Sequence, residues 1–212
     1  AHTGTQKSSA IGADLIVLPG SKNVRADLAW LHQQGWTAQI QHHLRYGGKL
    51  IGICGGLQML GSWIHDPLGI EGEPGSSAGL GYLDLETELT TEKVLRQRTG
   101  VLGLDQSPVV GYEIHAGVSR GEAFNRPLIE SESGNDGALS TDGQIAASYW
   151  HGLFDEHDSC ARLLSWAGLE SAAETAQPGH GERREIAIGR VADALEQHLN
   201  WQQLDAILTI VG

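Results

Sequence analysis

The sequence is poor in cysteine, with only Cys54 and Cys160 in 212 residues. Two thiols cannot build a disulfide framework. Neither sits in a Cys-x-x-Cys pair, which excludes a cysteine zinc site. Positive charge is scarce as well. Fourteen Lys and Arg face 26 Asp and Glu, for a net charge of −12. A surface this acidic repels phosphate backbones, which argues against nucleic acid as a partner. Long apolar runs are missing. Gly, Pro or Gln breaks them within about six residues, far short of the roughly 20 that a membrane span needs. The first ten residues, A-H-T-G-T-Q-K-S-S-A, lack the apolar stretch of a signal peptide. Few cysteines and no export signal predict a reducing, cytoplasmic setting. The chain does not begin with Met, so residues 1–10 read as the atypical leader of a fragment or processed chain, and residues 11–212 as the folded unit.

What the chain has in excess is glycine. The 29 glycines amount to roughly 14%, about twice the usual share. No Gly-X-Y period accompanies them, and an apolar content of 40% is too high for a disordered chain. Asp14 to Pro19 (D-L-I-V-L-P) is a short continuous apolar run, as expected of a strand buried on both faces. Arg25 to Tyr46 reads as helix interrupted at Gly35 and stopped by Gly47-Gly48. Lys49 to Ile53 is a second apolar strand, followed by Cys54-Gly55-Gly56 and a helical L-Q-M-L. Strand, helical crossover and strand make the βαβ unit of a parallel sheet. Asp66 to Gly81 reads as loop. Short strands are predicted over Tyr82–Thr90, Val109–Ile114, Ala138–Ser140 and Ile145–Tyr149, with turns at Asn135-Asp136-Gly137 and Asp142-Gly143. Asp158 is the expected N-cap of a helix over Cys160–Ala167, closed by Gly168. A polar linker over Glu170–Gly181 leads to an amphipathic helix over Glu182–Leu199, after which Asn200 caps a further turn with Gln203 at its third position.

The chemistry concentrates at Gly52-Ile53-Cys54-Gly55-Gly56. A buried strand runs into a tight turn and a helix with a nucleophile at the turn, the Gly-x-nucleophile-x-Gly elbow. The helix N-terminus is expected to favour thiolate over thiol, and the Gly55 N–H to stabilise an oxyanion. The competing reading is a buried structural Cys in a glycine-rich turn. A nucleophilic Cys needs a base. Of ten histidines, His115 and His151 lie at the ends of predicted strands. His151, followed by Gly152, has the more exposed place at a strand's carboxyl edge, where sites form in open α/β sheets. Position therefore favours it over His115.

The elbow G-I-C-G-G-L-Q-M-L, with Gln58 four residues after the Cys, resembles the class I glutamine amidotransferase signature. L-P-G-S-K-N (Leu18–Asn23), G-Y-E-I-H (Gly111–His115) and Y-W-H-G-L-F-D (Tyr149–Asp155) follow the same order as in the carboxyl-terminal amidotransferase domain of the cobyric acid synthase family. The resemblance implies that Cys54 attacks the glutamine side-chain amide and that His151 acts as base, then as acid. It places the oxyanion between the Gly55 N–H and one from Gly20–Ser21. It makes Gln58, Tyr112 and Glu113 glutamine-binding residues, against the alternative that all three stabilise the fold. It implies a three-layer α/β sandwich with a mostly parallel central sheet plus antiparallel strands. It assigns residues 11–212 to the amidotransferase domain, with Cys160 a buried helix residue without chemistry.

Two departures qualify the match. The wider class I family places Glu two residues after the catalytic His, where this chain has Leu153. The resembling subfamily also lacks that Glu. Asp155 is the nearest carboxylate in sequence to orient His151, and a partner's carboxylate or a backbone carbonyl would serve equally. Second, no Walker A motif is present. ATP and Mg are therefore expected only on a synthetase domain outside these residues, in the same polypeptide or a separate one, and no cofactor or metal on this chain. The implied partners are glutamine, that synthetase domain and, through it, a corrinoid acceptor. Rival readings are an amidotransferase subunit serving a cell-wall precursor and a non-catalytic domain of the same fold.

Overall fold

The computed structural model describes residues 12–169, 180–201 and 203–204. The predicted leader and most of the predicted linker lie outside the described residues. The apolar run near the start forms strand β1 (Leu15–Leu18). Two helices follow, α1 (Val24–Gln33) and α2 (Trp36–Arg45), separated at Gly35, whose φ of +78° suits a residue without a side chain. Strand β2 (Lys49–Ile53) returns parallel to β1, pairing Leu15 with Lys49 through Leu18 with Gly52. Strand β9 (Ile145–Ser148) adds in parallel on the far side of β2, and β8 (Ala138–Leu139) closes the sheet in antiparallel fashion. The order is β1-β2-β9-β8.

Strands β2 and β9 are buried on both faces, and β1 is largely covered apart from Val17, which explains their continuous apolar runs. Leu50 packs in one core with Val24, Leu28 and Ile40 of α1 and α2. Its neighbour Ile51 points the other way, into a second core with Trp150, Leu153 and Leu163. Leu163 belongs to helix α4 (His157–Trp166). The parallel sheet thus lies between two helical layers, the sandwich expected from the sequence.

Apart from β8, the antiparallel strands do not extend that sheet. They form a second one, ordered β10-β6-β5-β3-β4 with β7 (Ile129–Glu130) on β5. It contains β3 (Trp63–Asp66), β4 (Gly75–Ala78), β5 (Glu86–Leu102), β6 (Pro108–Arg120) and β10 (Trp150–His151). Several sequence boundaries change here. The segment read as loop supplies β4, whose G-S-S-A has no apolar alternation. Strand β5 begins at Glu86 rather than Tyr82 and runs to Leu102. Its period-two pattern fades because the register with β6 shifts between Glu88 and Lys93 and the far half is largely exposed.

Helix α4 starts one turn earlier than expected. Its N-cap is Glu156, with no side-chain cap bond, and Asp158 lies in the first turn, where its charge suits the helix dipole. Helix α5 (His180–His198) begins inside the predicted linker. Its Val191, Leu195 and Leu199 are exposed. Beyond it the expected cap is present, with the Gln203 N–H donating to Asn200 Oδ1 at 3.2 Å.

Candidate active site

Both sheets meet at Cys54. The residue ends β2, and its N–H donates to the Ser148 carbonyl at the end of β9 (2.8 Å). It then turns into the short helix α3 (Gly55–Leu60) with φ +53° and ψ −107°. A non-glycine residue in that region is strained by about 1–3 kcal/mol, and the surrounding structure must hold it there. The glycines supply that hold by allowing close approach. A side chain on Gly56 would lie 2.1 Å from the Leu18 carbonyl oxygen, and one on Gly55 2.8 Å from the Ser21 nitrogen. The elbow is wedged against the β1–α1 loop, which brings Gly20, Ser21 and Gly55 around the cysteine.

The loop is itself fixed. Asn23 caps α1 by accepting the Ala26 N–H at 3.1 Å, and Ser21 Oγ donates to Asp27 at 2.5 Å. A Cβ on Gly20 would lie 3.2 Å from His151 Cε1 and 3.7 Å from Cys54 Cβ, so Gly20 lines the space beside both. Cys54 Sγ donates to the Ile114 carbonyl at 3.2 Å. His151 Nε2 meets the same carbonyl at 3.3 Å. These contacts bound the sulfur–nitrogen separation at no more than 6.5 Å. A carbonyl only accepts, so in this arrangement Nε2 carries a proton.

The electrostatics correct one expectation. Burial pushes the Cys54 thiol above its ordinary range. The Gly55 N–H opposes this, while Glu71 and Asp136 reinforce it through their negative charge. The short helix does not make a resting thiolate. Asp136 is itself pushed up by burial, although its carboxylate accepts Ser148 Oγ and the Tyr149 N–H. Burial likewise raises Glu71, whose carboxylate accepts the Val24 N–H at 2.6 Å.

The other sequence-selected residues divide between the cleft and its support. Tyr112 stacks on His151, with ring centroids 5.4 Å apart and planes 8° from parallel. Glu113 points to the opposite face of β6. It accepts from Arg98 Nε (3.1 Å) and Nη2 (2.9 Å) and pairs with His115 Nε2 (2.8 Å). Burial alone would raise its pKa, but the His115 and Arg98 contacts bring it below the usual carboxylate range. His115 is thereby tied to Glu113, to the Gly117 carbonyl and, by stacking at 3.9 Å, to Tyr149. Gln58 is buried, with Nε2 donating to the Ala116 carbonyl and the Tyr149 hydroxyl, both at 3.3 Å. The Asp155 carboxylate makes no hydrogen bond to His151. It sits beside Gly152, and its N–H closes a turn on the Gly152 carbonyl at 2.9 Å. Cys160 is half-buried on α4, its thiol raised by burial.

Sequence reasoning missed Glu71, Asp136, Tyr149 and the Ile114 carbonyl. Tyr149 could have been found in Y-W-H-G-L-F-D. A backbone carbonyl leaves no trace in residue types. A cavity of about 610 Å³ opens at the other end of β9, lined by Arg45, Tyr82, Arg126 and Gln144 among others; it includes neither Cys54 nor His151. Among the described residues, no helix is long and apolar enough to cross a membrane, and no cluster of three or more His, Cys, Asp or Glu is placed to hold a metal ion.

Residues 2–159 match the CobB/CobQ-like glutamine amidotransferase domain. The chain belongs to that family. It is a glutamine-hydrolysing amidotransferase domain. A solved structure described as a glutamine amidotransferase shares the fold: TM-score 0.55 at 21% identity, covering 75% of this chain and 82% of that one. PurLQS from Thermotoga maritima matches at 13% identity and TM-score 0.47, over 70% of this chain and 73% of that one.

Proposed function

We propose that this amidotransferase domain hydrolyses glutamine through a Cys54 thioester and is the glutaminase half of a cobyric acid synthase. The observation that carries the chemistry is the convergence of Cys54 Sγ and His151 Nε2 on one carbonyl at a strained elbow. In this reading the imidazole leaves the Ile114 carbonyl, presents a free ring nitrogen to the thiol and takes its proton. The thiolate adds to the amide carbon of glutamine, and the Gly55 N–H with the Gly20–Ser21 backbone holds the oxyanion. As the carbon–nitrogen bond breaks, His151 returns the proton and ammonia leaves. Water activated by His151 then adds to the thioester, releasing glutamate and regenerating the thiol. None of these steps calls on a cofactor.

Gln58 and Glu113 act in this scheme through the architecture around the pocket. Gln58 ties α3 to β6 and Tyr149, and Glu113 is held by Arg98 and His115. The ammonia is handed to an ATP- and Mg-dependent synthetase domain, which amidates corrinoid carboxylates. G-Y-E-I-H and L-P-G-S-K-N support that client over a cell-wall precursor.

A glutaminase assay with and without an ATP-dependent corrinoid synthetase half tests the reading. Ammonia production that depends on Cys54, together with amide formation on the corrinoid in the assembled pair, is expected. Wild-type turnover by Cys54→Ala in that pair overturns the mechanism. Cys54-dependent turnover without any corrinoid amidation overturns the client alone.

A further inference from the structure

We infer that Tyr112 is a positioning residue that takes the place of the absent His-orienting carboxylate by fixing the plane of the His151 ring. This rests on the proposed role of His151 as base. Strands β6 and β10 are antiparallel, with Tyr112 directly opposite His151 and Glu113 opposite Trp150. Side chains directly opposite each other project from the same face and interact as a unit. Here they stack in parallel, 5.4 Å between centroids and 8° between planes.

The residues on either side keep this pair together. A side chain on Gly111 would lie 2.5 Å from the His151 carbonyl oxygen, so β10 can approach β6 this closely only where β6 has none. Gly152, at φ +81°, turns the chain away immediately afterwards, and a Cβ there would meet the Tyr112 ring at 3.5 Å and Asp155 at 3.2 Å.

Among the described residues, no carboxylate hydrogen-bonds the His151 ring. Glu113 lies on the other face of β6 and is engaged by Arg98 and His115. Asp155 makes no hydrogen bond to His151. Among the described residues, the hydrogen bond of the His151 ring runs from Nε2 to Ile114 O. Stacking constrains a ring's plane and still permits a half-turn about the Cβ–Cγ bond, which exchanges the ring edges within that plane. The imidazole can therefore exchange the Ile114 carbonyl for the Cys54 thiol without leaving its plane. A carboxylate on the ring edge would instead lock one direction. Tyr112 is 41% exposed and contributes little to the core.

The test is inactivation by a glutamine-analogue diazo ketone that alkylates Cys54, read by mass spectrometry. It separates the maximal rate kinact from the concentration constant KI. A positioning role predicts that Tyr112→Leu lowers kinact by roughly two- to tenfold, the worth of one stacked aromatic pair, with KI unchanged. Tyr112→Phe, which keeps the ring and removes the hydroxyl, restores kinact. A wild-type kinact in Tyr112→Leu overturns the proposal. So does a raised KI in Tyr112→Phe, which would make the hydroxyl a substrate ligand. Should Tyr112→Leu fail to fold in a urea titration, the Phe variant still decides: a kinact as low as that of His151→Ala refutes ring stacking as the source. Failure of the wild type to label at Cys54 points instead to failure of the thioester reading itself.

Discussion

Gly56→Ala probes the wedge that creates the elbow. The added methyl would lie 2.1 Å from the Leu18 carbonyl oxygen and 2.8 Å from the carbonyl carbon, both backbone atoms. Ordinary contact starts near 3.4 Å, so α3 must separate from the end of β1 by about 1 Å. Leu18 cannot yield freely, because it is paired with Gly52 in the parallel sheet. Forcing a group into such a site costs at the upper end of about 1–3 kcal/mol. Alanine recovers about 1 kcal/mol through its better helix propensity, which leaves a net loss of about 2 kcal/mol. The functional effect should be larger. The Gly55 N–H rides on α3, and a displacement of about 1 Å in a positioned group can cost on the order of 10²-fold in rate. Urea titration measures the first quantity, and alkylation of Cys54 by the diazo ketone the second. Gly189→Ala on α5, where nothing lies within 4 Å of the added carbon, is the control and should gain up to about 1 kcal/mol of local helix stability. A Gly56→Ala protein with wild-type urea midpoint and labelling rate would refute the wedge.

Further outcomes follow from the electrostatics and the buried polar contacts. Burial raises the Cys54 pKa, so its alkylation by a simple haloacetamide should rise with pH through a midpoint above that of an unstructured cysteine, about 8.5; a midpoint at or below that value would contradict the burial argument. Asp66 accepts the Ile70 and Glu71 N–H groups at 2.7 and 3.0 Å. Burial alone would raise its pKa, but these bonds and Arg25 bring it below the usual range. Its contribution to stability is thus full above the unfolded value of about 3.9 and is lost as pH falls through the lower folded value. Asp66→Asn should remove that acid-side slope, measured as urea midpoints against pH. Tyr149→Phe deletes a hydroxyl that accepts from Gln58 and bonds Ser119 at 2.5 Å. Gln58 keeps the Ala116 carbonyl and Ser119 keeps Thr87. The loss should therefore stay near 1 kcal/mol rather than the larger cost of orphaned groups.

The parallel sheet was legible because its strands are largely covered on both faces, Val17 apart, and read as unbroken apolar runs. The elbow was legible because close backbone approach demands glycine at fixed positions around Cys54. The second sheet was harder to read. Gly75–Ala78 is a strand through its pairing with Trp63–Asp66, and nothing in G-S-S-A shows that pairing. The polar half of β5 carries no alternation because it is largely exposed. At the site, residue types singled out Cys54 and His151, the family resemblance added Tyr112, and the fold brings the three together. Residue types also suggested Asp155, the nearest carboxylate in sequence, which sits beside Gly152 without a hydrogen bond to His151. The hydrogen bond that the His151 ring does make is to the backbone of Ile114, and any residue at that position would supply it. The thiolate expectation failed for a physical reason: a six-residue helix and one N–H do not outweigh burial beside two carboxylates.

The most direct test of the central claim is to look for the acyl group on Cys54 during turnover. The assembled amidotransferase, mixed with glutamine and quenched in acid, should carry a γ-glutamyl adduct on the Cys54 peptide in mass spectrometry. That adduct should be absent from Cys54→Ala and diminished in His151→Ala. Ammonia release with Cys54 unmodified, and equal turnover by Cys54→Ala, would contradict the account.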